Sequence, residues 1–328
     1  MAASRRKKKQ RKEKFEKALT AVLCGIVAVL VLLAAVISLS EENGGALPTW
    51  QQLYSWFGVA APVPHLPEEA AGAATKVHFI DVGQGDCTFV ISDGKTLLID
   101  TGEKEYAQKI CEYIGNQGID KIDYMLLSHP HSDHMGGASE IIDNIDVENI
   151  ILPKLPDDMT PTSKFYESFL LSVKNNGLKL TAALPGSIYE IGECKLEILS
   201  PVNEYSDLNN FSAAAVLTHG ADSFLFTGDI EKKSEKDIIE TGRLSQIDVL
   251  KAAHHGSSTS NSREFLEITD PDYAVIMCGQ GNSYNHPNKD AVERIRKHTD
   301  RIYRTDLDGT IVFTSSEDGL KIKTEKGE

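Results

Sequence analysis

The sequence predicts a mixed α/β (α+β) domain in which two β-sheets pack together with helices outside, preceded by one N-terminal transmembrane helix. Two observations predict the sandwich. Short β-rich runs alternate with single helices from residue 76 onward, and several of these runs end in an acidic residue or a histidine. A stretch of 22 residues without a charge, near the start of the chain, predicts the membrane helix.

The uncharged stretch, residues 18–39, directly follows a basic segment, residues 1–17. As a helix it would be about 33 Å long, enough to cross a hydrocarbon core of about 30 Å. The basic segment carries nine lysine and arginine residues, so the positive-inside rule predicts that it stays in the cytoplasm and that the rest of the chain is exported. A signal peptide cleaved near Ser40 is the alternative, although signal peptides have apolar runs of only about 7–15 residues. We expect an uncleaved single-pass anchor in the cell membrane and an extracellular domain.

Residues 40–75 are rich in glycine, alanine and proline, which predicts a linker between the anchor and a domain over residues 76–328. The chain has a net charge of −14, and the part after the basic segment is more acidic still, with 25 basic and 46 acidic residues. Such a domain has no general attraction for nucleic acid, so metal ions would have to draw in any anionic substrate. The five cysteines lack regular spacing and are interpreted as small apolar core residues.

The elements of the domain follow one another in a regular order. Three strands come first, over "KVHFIDV", "DCTFVIS" and "KTLLIDTG", and Asp93-Gly94 marks a hairpin turn between the last two. A helix near 103–117 precedes the strand "DYMLLSH", and another strand, "NIILP", precedes a helix over 163–175. The second half contains the hairpin "SAAAVLTHGADSFLFTGD", helices near 231–241, 261–268 and 288–298, the strands "IDVLKAAH" and "YAVIMCG", and a closing hairpin around "DLDGTIVF".

The segment "SHPHSDHMGG", residues 128–137, indicates a metal site. It places three of the ten histidines and an aspartate within six positions, directly after a predicted strand. His129 and His131 alternate, so at a strand end they point to the same side and can share one ion. Asp133 and His134 come after the turn and can serve a second ion.

Further candidate ligands stand at other predicted strand ends, in the segments "LLIDTG", "FLFTGD", "VLKAAHHGS" and "YNHP". These residues are Asp100, Asp229, His254, His255 and His286. Each alone could be a turn former or a helix cap. Together they are what an active site at one sheet edge requires, and histidine and carboxylate ligands suit two divalent ions. Zn²⁺ is the expected ion, with Mn²⁺ and Fe²⁺ as alternatives.

These motifs, in this order, resemble the metallo-β-lactamase superfamily. The histidine segment, "DVGQGD", "TGD", "HHGS", "NHP" and "RTDLDGTI" together resemble one branch of it, the hydrolase domain of the competence protein ComEC and its stand-alone relatives. The resemblance covers residues 76 to about 325. It implies the αββα sandwich of the metallo-β-lactamase fold, in agreement with the pattern of strands and helices.

The resemblance also implies metal ligands. His129 and His131 would bind the first ion, Asp133 and His134 the second, and Asp229 would bridge both. One of His254 and His255 would complete the second site while the other faces the substrate, and the sequence leaves open which does which. Many members have one more histidine before the "TGD" motif, but the matching region here reads "DLNNFSAAAVL". His219 lies at the far end of that strand and is not counted, so we expect the first ion to be poorly coordinated.

Other residues are assigned to catalysis or to the substrate. The predicted catalytic residues are Asp100, Asp133, His254 and His255, and Asp100 would act by orienting a histidine ligand through its ring N–H. The predicted substrate contacts are Gln84, Asp86, Ser257 and His286, with Ser258 as a further hydroxyl.

The predicted function is that of a membrane-anchored, extracellular, metal-dependent hydrolase of phosphodiesters, with DNA as a candidate substrate. Two other functions stay open: hydrolysis of a small-molecule or cell-wall phosphoester or of a lactam-like compound, and a degenerate fold that serves as a binding module. The membrane is the one partner besides substrate that the sequence indicates, through residues 18–39.

Overall fold

The computed structural model describes residues 74–327. The predicted basic segment 1–17, the membrane helix 18–39 and nearly all of the linker 40–75 lie outside these residues, and they stay predictions. In the described part of the chain, every helix is too short or too polar to cross a membrane.

Fifteen strands make up the sheets of the described region. In chain order they are β1 Thr75–Phe79, β2 Thr88–Ser92, β3 Lys95–Ile99, β4 Lys121–Leu126, β5 Asp146–Leu152, β6 Leu180–Ala182, β7 Ile188–Ile191, β8 Cys194–Ile198, β9 Ala215–His219, β10 Asp222–Phe226, β11 Val249–Lys251, β12 Tyr273–Ile276, β13 Ile302–Arg304, β14 Ile311–Ser316 and β15 Gly319–Thr324.

Two sheets are formed by these strands, one of eight and one of seven. The first has the order β15-β14-β1-β2-β3-β4-β5-β6, and the second has the order β13-β12-β11-β10-β9-β8-β7. Each sheet is antiparallel at one end and parallel at the other: the strands from β3 to β6 and those from β10 to β13 run parallel. The turn predicted at Asp93-Gly94 joins β2 and β3, and both of its residues have a positive φ.

Eight α-helices lie in the described region. They are α1 Ala107–Asn116, α2 Ser132–Met135, α3 Ala138–Asn144, α4 Lys164–Asn175, α5 Lys232–Glu240, α6 Arg263–Thr269, α7 Lys289–Ile295 and α8 Thr305–Asp308. The apolar faces of α1, α3 and α4 pack on the outside of the first sheet, and those of α5, α6 and α7 pack on the outside of the second. The four-layer αββα arrangement predicted from the sequence is therefore confirmed.

The central core lies between the two sheets, whose inner faces supply its apolar side chains. Phe313 of β14 is its centre and contacts four aromatic rings at centroid distances of 5.6 to 6.2 Å: Phe79, Phe224, Tyr273 and Tyr303. Such edge-to-face pairs contribute about 0.5–1.5 kcal/mol each beyond the area that they bury. Because strands of both sheets contribute to this cluster, it fixes one sheet against the other.

The closing hairpin lies further along the chain than the sequence predicts. β14 and β15 turn at Glu317-Asp318, whereas "TDLD" forms the short helix α8. The side chain of Asp308 accepts a hydrogen bond from the backbone N–H of Arg304 (2.7 Å), and Arg304 forms an ion pair with Asp306. These local polar contacts stabilise a helical turn where alternation alone indicates a strand.

Candidate metal centre

The predicted site residues come together where strands of both sheets end. Asp100 follows β3, His129 follows β4, Asp229 follows β10, and the histidine pair follows β11. The carboxyl ends of neighbouring parallel strands meet at one edge of a sheet. The parallel strands of both sheets therefore contribute, at their carboxyl ends, to a single site between the sheets.

A first group of donor atoms comes from the alternating histidines. His129 Nε2 and His131 Nδ1 are 2.9 Å apart, and His129 Nε2 is 3.9 Å from Asp229 Oδ2. His131 is the N-cap residue of α2 and has an extended backbone, which keeps the alternation of the preceding strand. The two imidazoles therefore face one point, with Asp229 beside them.

A second group lies on the other side of Asp229 and consists of His134, His255, Asp133 and Asp229. The His134 and His255 Nε2 atoms are 3.3 Å apart, and each has a carboxylate oxygen at 3.2 Å: Asp229 Oδ1 beside His134, and Asp133 Oδ2 beside His255. A tetrahedral ion with bonds of about 2.0–2.1 Å needs donors about 3.3 Å apart. Three of the donor pairs meet that requirement, whereas His134 Nε2 and Asp133 Oδ2 are 4.0 Å apart.

His254 differs from His255 in position and surroundings. Its Nε2 atom is 3.7 Å from Asp229 Oδ2, and a fifth of its side chain is exposed. The His255 side chain is buried and points its Nε2 atom into the second group. The geometry therefore favours His255 as the metal ligand and leaves His254 facing the cleft.

The electrostatics of the site fit a bound cation. Asp229 Oδ1 is buried and has no well-aligned hydrogen bond from the described part of the chain, although His134 Nε2 lies 3.2 Å away. Burial alone would lower the pKa of His134, but Asp229, Asp100, Asp86 and Asp133 outweigh it and raise this pKa well above its usual value. Without metal, protonated histidines thus balance the buried carboxylates. A divalent ion would take over this role and release the protons.

The Nδ1 atoms of His134 and His255, which point away from the second group, have hydrogen-bond partners of their own. His134 Nδ1 is 2.8 Å from Asp100 Oδ2, and Asp100 in turn accepts hydrogen bonds from the Ser128 backbone N–H (2.7 Å) and hydroxyl (2.6 Å). His255 Nδ1 donates to the backbone carbonyl of Met277 (2.9 Å). The contact predicted between Asp100 and a ligand histidine is present. Such partners orient a ligand ring and fix its tautomer.

An open cleft of about 310 Å³ lies over both groups. Its lining residues are Gln84, His131, Ser132, Asp133, Asn209, Asp229, His254, His255, Tyr284 and His286. Of the predicted substrate contacts, Gln84 and His286 line it. Ser257 does not, because its buried hydroxyl is bonded to Thr259 (2.9 Å). No lysine or arginine is among the lining residues.

The comparisons with known proteins agree with this geometry. The model of the Metallo-beta-lactamase superfamily matches residues 80–280. The chain belongs to this superfamily. It is 30% identical to ComE operon protein 3 of Bacillus subtilis over 73% of this chain and 33% of that protein. It is 29% identical to Competence protein ComA of Neisseria gonorrhoeae over 89% of this chain and 39% of that protein.

The chain thus spans between a third and two fifths of the length of these curated relatives. Among solved structures, a mutant of the CmlA beta-hydroxylase matches with a TM-score of 0.50 and 13% identity, over 82% of this chain and 60% of that one. A likeness at this identity shows the fold alone. The resemblance drawn from the motifs is confirmed: the chain is a metallo-β-lactamase-fold hydrolase related to competence proteins.

Asp86 lies beneath the metallo-β-lactamase centre rather than in its cleft. Its carboxylate forms an ion pair with Lys251, and the Lys251 ammonium also donates to the Gly228 carbonyl (3.1 Å). Asp86 faces the rear of both ring systems, 3.3 Å from His255 Nδ1 and 3.7 Å from His134 Nδ1. Asp86 is therefore placed to hold ligands, whereas the sequence indicated a substrate contact. Lys251 was not assigned a role from the sequence. Its position inside an apolar strand was the only indication, because a buried lysine requires a partner of opposite charge.

The "HHGS" turn aims its two histidines in different directions. His254 and His255 both have a left-handed backbone with φ of 53°. Residues other than glycine adopt this conformation at a cost of about 1–3 kcal/mol each, and only where the surroundings hold it. Here the His254 N–H donates to the Gly228 carbonyl (3.1 Å), and the Asn261 side chain accepts from the Ala253 N–H (3.0 Å). The strained turn sends one ring into the metal group and the other into the cleft.

The first group has no third histidine within the described residues. His219 lies at the far end of β9, where its Nδ1 atom contacts the Ser315 hydroxyl (2.7 Å). Within the segment that matches the region of the superfamily histidine, the Ser212 hydroxyl contacts His129 Nδ1 (3.2 Å). The sequence analysis did not assign Ser132, Asn209 or Tyr284 to the cleft, although each lies in a segment that it quotes, because nothing in those segments marks these side chains as facing the cleft.

Proposed function

We propose that the chain is a membrane-anchored, extracellular phosphodiesterase with a two-metal site, and that DNA is its leading candidate substrate. The observation that carries the proposal is the pair of donor groups that share Asp229 at the base of an open cleft. His129, His131 and Asp229 would hold one ion, and the group around His134 and His255 the other. Two such ions supply an activated water molecule and hold the oxygens of a phosphate ester.

His254 would act on the leaving group. It lines the cleft, and its Nδ1 atom is 3.5 Å from Glu231 Oε1. A cleft-facing imidazole can donate a proton to the departing ester oxygen, a contribution of about 10²–10⁴-fold.

Tyr284 supports a substrate with a planar base. It is the one aromatic residue among the large exposed hydrophobic side chains of the described region, with 65% of its surface exposed. Its ring is nearly parallel to that of His286, at a centroid distance of 5.9 Å. Exposed aromatic faces stack on nucleobases in single strands, with about 1–3 kcal/mol for each base. The names of the competence relatives agree with a nucleic acid substrate.

The charge of the cleft favours a second candidate, a small phosphoester. A long nucleic acid brings flanking phosphates, which lysine and arginine usually neutralise, and the lining has neither. A small substrate with one phosphodiester group needs no such partners.

A substrate panel tests the proposal and separates the two candidates. The full chain is loaded with Zn²⁺ or Mn²⁺ and given bis(p-nitrophenyl) phosphate, a single-stranded oligonucleotide, duplex DNA and dinucleotides. We expect hydrolysis of the phosphodiesters that Asp229→Ala abolishes. Turnover confined to the dinucleotides and the nitrophenyl ester would favour the small-substrate candidate. Inactivity on every phosphodiester, with metal bound, would refute the proposal.

The membrane anchor and the export of the domain rest on residues 1–39 alone. They are tested by adding protease to intact cells that express the chain. We expect release of a fragment that contains residues 76–328, because the linker would lie outside the cell. Protection of that domain until the cells are broken would contradict an extracellular location.

A further inference from the structure

The first donor group has fewer ligands than its neighbour. It consists of His129, His131 and one oxygen of Asp229, and Asp229 is shared with the second group. The second group has four donors, from His134, His255, Asp133 and Asp229, as described above. The superfamily histidine that would supplement the first group is replaced by the segment 209–213, "NNFSA".

This segment is hydrogen-bonded to the loop that carries His129 and to the loop that carries Asp229. The Ser212 hydroxyl accepts a hydrogen bond from the Asp229 backbone N–H (3.0 Å) and contacts His129 Nδ1 (3.2 Å). The Ala213 N–H donates to the Ser128 carbonyl (2.8 Å). Any side chain that the segment directs into the cleft therefore has a fixed position relative to the first group.

Asn209 and Asn210 begin this segment as a 3₁₀ turn, and their side chains have opposite surroundings. Asn210 is buried, and its oxygen accepts hydrogen bonds from the Glu231 and Ser234 N–H groups (both 3.1 Å). Asn209 lines the cleft together with His131 and Asp229. Its Oδ1 atom is buried but accepts no hydrogen bond from the described residues. Such an acceptor costs about 1–3 kcal/mol unless a donor or a cation satisfies it.

We propose that the side-chain oxygen of Asn209 is a ligand of the first metal ion, in place of the missing histidine. The inference rests on the metal centre of the proposed function. It accounts for the unpaired oxygen of a residue that lines the same cleft as His131 and Asp229. A neutral carbonyl oxygen is a harder ligand than an imidazole and suits Mn²⁺ better than Zn²⁺. The two sites therefore differ in affinity, with the weaker one at Asn209.

The test measures metal binding by the full chain, by metal analysis after dialysis and by titration with Mn²⁺ and Zn²⁺. We expect Asn209→Ala to weaken the weaker of two sites by at least about 10-fold and to leave the stronger site unchanged. Asn209→Asp, which keeps an oxygen at this position, should retain both ions. Asn209→His should raise the affinity of the weaker site for Zn²⁺. Asn203→Ala, an exposed asparagine of the same connection, is the matched control and should bind as the unchanged chain does.

Two results would overturn the inference: two unchanged affinities in Asn209→Ala, or an equal loss in Asn209→Ala and Asn209→Asp. Thermal unfolding with a chelator present shows whether the alanine variant keeps its fold, and the aspartate and histidine variants test the ligand independently of that. A different result would contradict the proposed function. A chain that binds two ions but cleaves no phosphodiester contradicts the activity and leaves the Asn209 assignment standing.

Discussion

Replacing each histidine of the "HHGS" turn with alanine should produce two different defects. His255 supplies one of four donors to the second group, and its Nε2 atom lies 3.2 to 3.6 Å from the other three. His254 contributes to the cleft and is 3.7 Å from Asp229. His255→Ala should therefore lose metal, whereas His254→Ala should keep metal and lose turnover.

The sizes of the two effects follow from these positions. Loss of a residue that only orients a ligand typically reduces metal affinity by about 10–100-fold, so loss of the ligand itself should exceed about 100-fold. Loss of a proton donor should reduce kcat by about 10²–10⁴-fold, equivalent to about 3–5 kcal/mol in the barrier. Both residues have a φ of 53°, so alanine meets the same left-handed backbone at each. A difference between the variants is therefore due to the side chains.

Metal affinity by competition with a chelating dye, together with kcat on two esters, checks this prediction. With a nitrophenyl leaving group, which departs without a proton, the defect of His254→Ala should shrink. With an alkyl or nucleoside leaving group, His254→Ala should show the whole loss of kcat. Metal loss in His254→Ala, with normal metal binding in His255→Ala, would reverse the assignment. Normal metal and normal rates in both variants would refute the reasoning.

Three further predictions concern Asp229, the buried ion pair and a core histidine. Asp229→Ala should remove most bound metal, measured by metal analysis, while the circular dichroism of the fold is unchanged. Lys251→Met should lower the free energy of unfolding by roughly 3–5 kcal/mol, because Asp86 would be left buried without its partner, and Asp86→Asn in the same chain should recover most of it. Burial, with Lys76 nearby, lowers the pKa of His78 to about 3, so its neutral form stabilises the fold fully above about pH 6.5 and the contribution is lost as the pH falls toward 3. Between pH 7 and 4.5 this loss is roughly 2–3 kcal/mol. His78→Gln should remove that part of the acid sensitivity, measured by denaturant titration with a chelator present.

The layers of the fold could be predicted because, in most strands, an apolar run in the sequence corresponds to a buried place in a sheet. The runs around Val77, Leu98 and Val249 are apolar, and they occupy central strands that are covered on both faces. Where polar contacts compete with the pattern, prediction was less accurate, as in the segment that forms α8. The ends of elements depend on such contacts more than on periodicity.

The choice between His254 and His255 could not be made from the sequence. Two adjacent residues of a regular strand or helix would diverge by a fixed angle, but these two lie in a left-handed turn. Its conformation depends on hydrogen bonds that its N–H groups donate to the Gly228 carbonyl and to the Asn261 side-chain oxygen, two residues outside the motif. Motif spacing carries no information about such contacts.

The acidic composition and the metal centre have a common physical explanation. Four carboxylates converge on the site, from Asp86, Asp100, Asp133 and Asp229, and Lys251 neutralises one of them. Two divalent ions would add about +4 in charge and make the base of the cleft the attractive point for an anion. The rest of an acidic surface repels polyanions, so binding at the cleft would depend on the metals. Without them, Asp133 and Asp229 face the cleft with only histidine protons as nearby counter-charge, so the cleft would repel a phosphate ester.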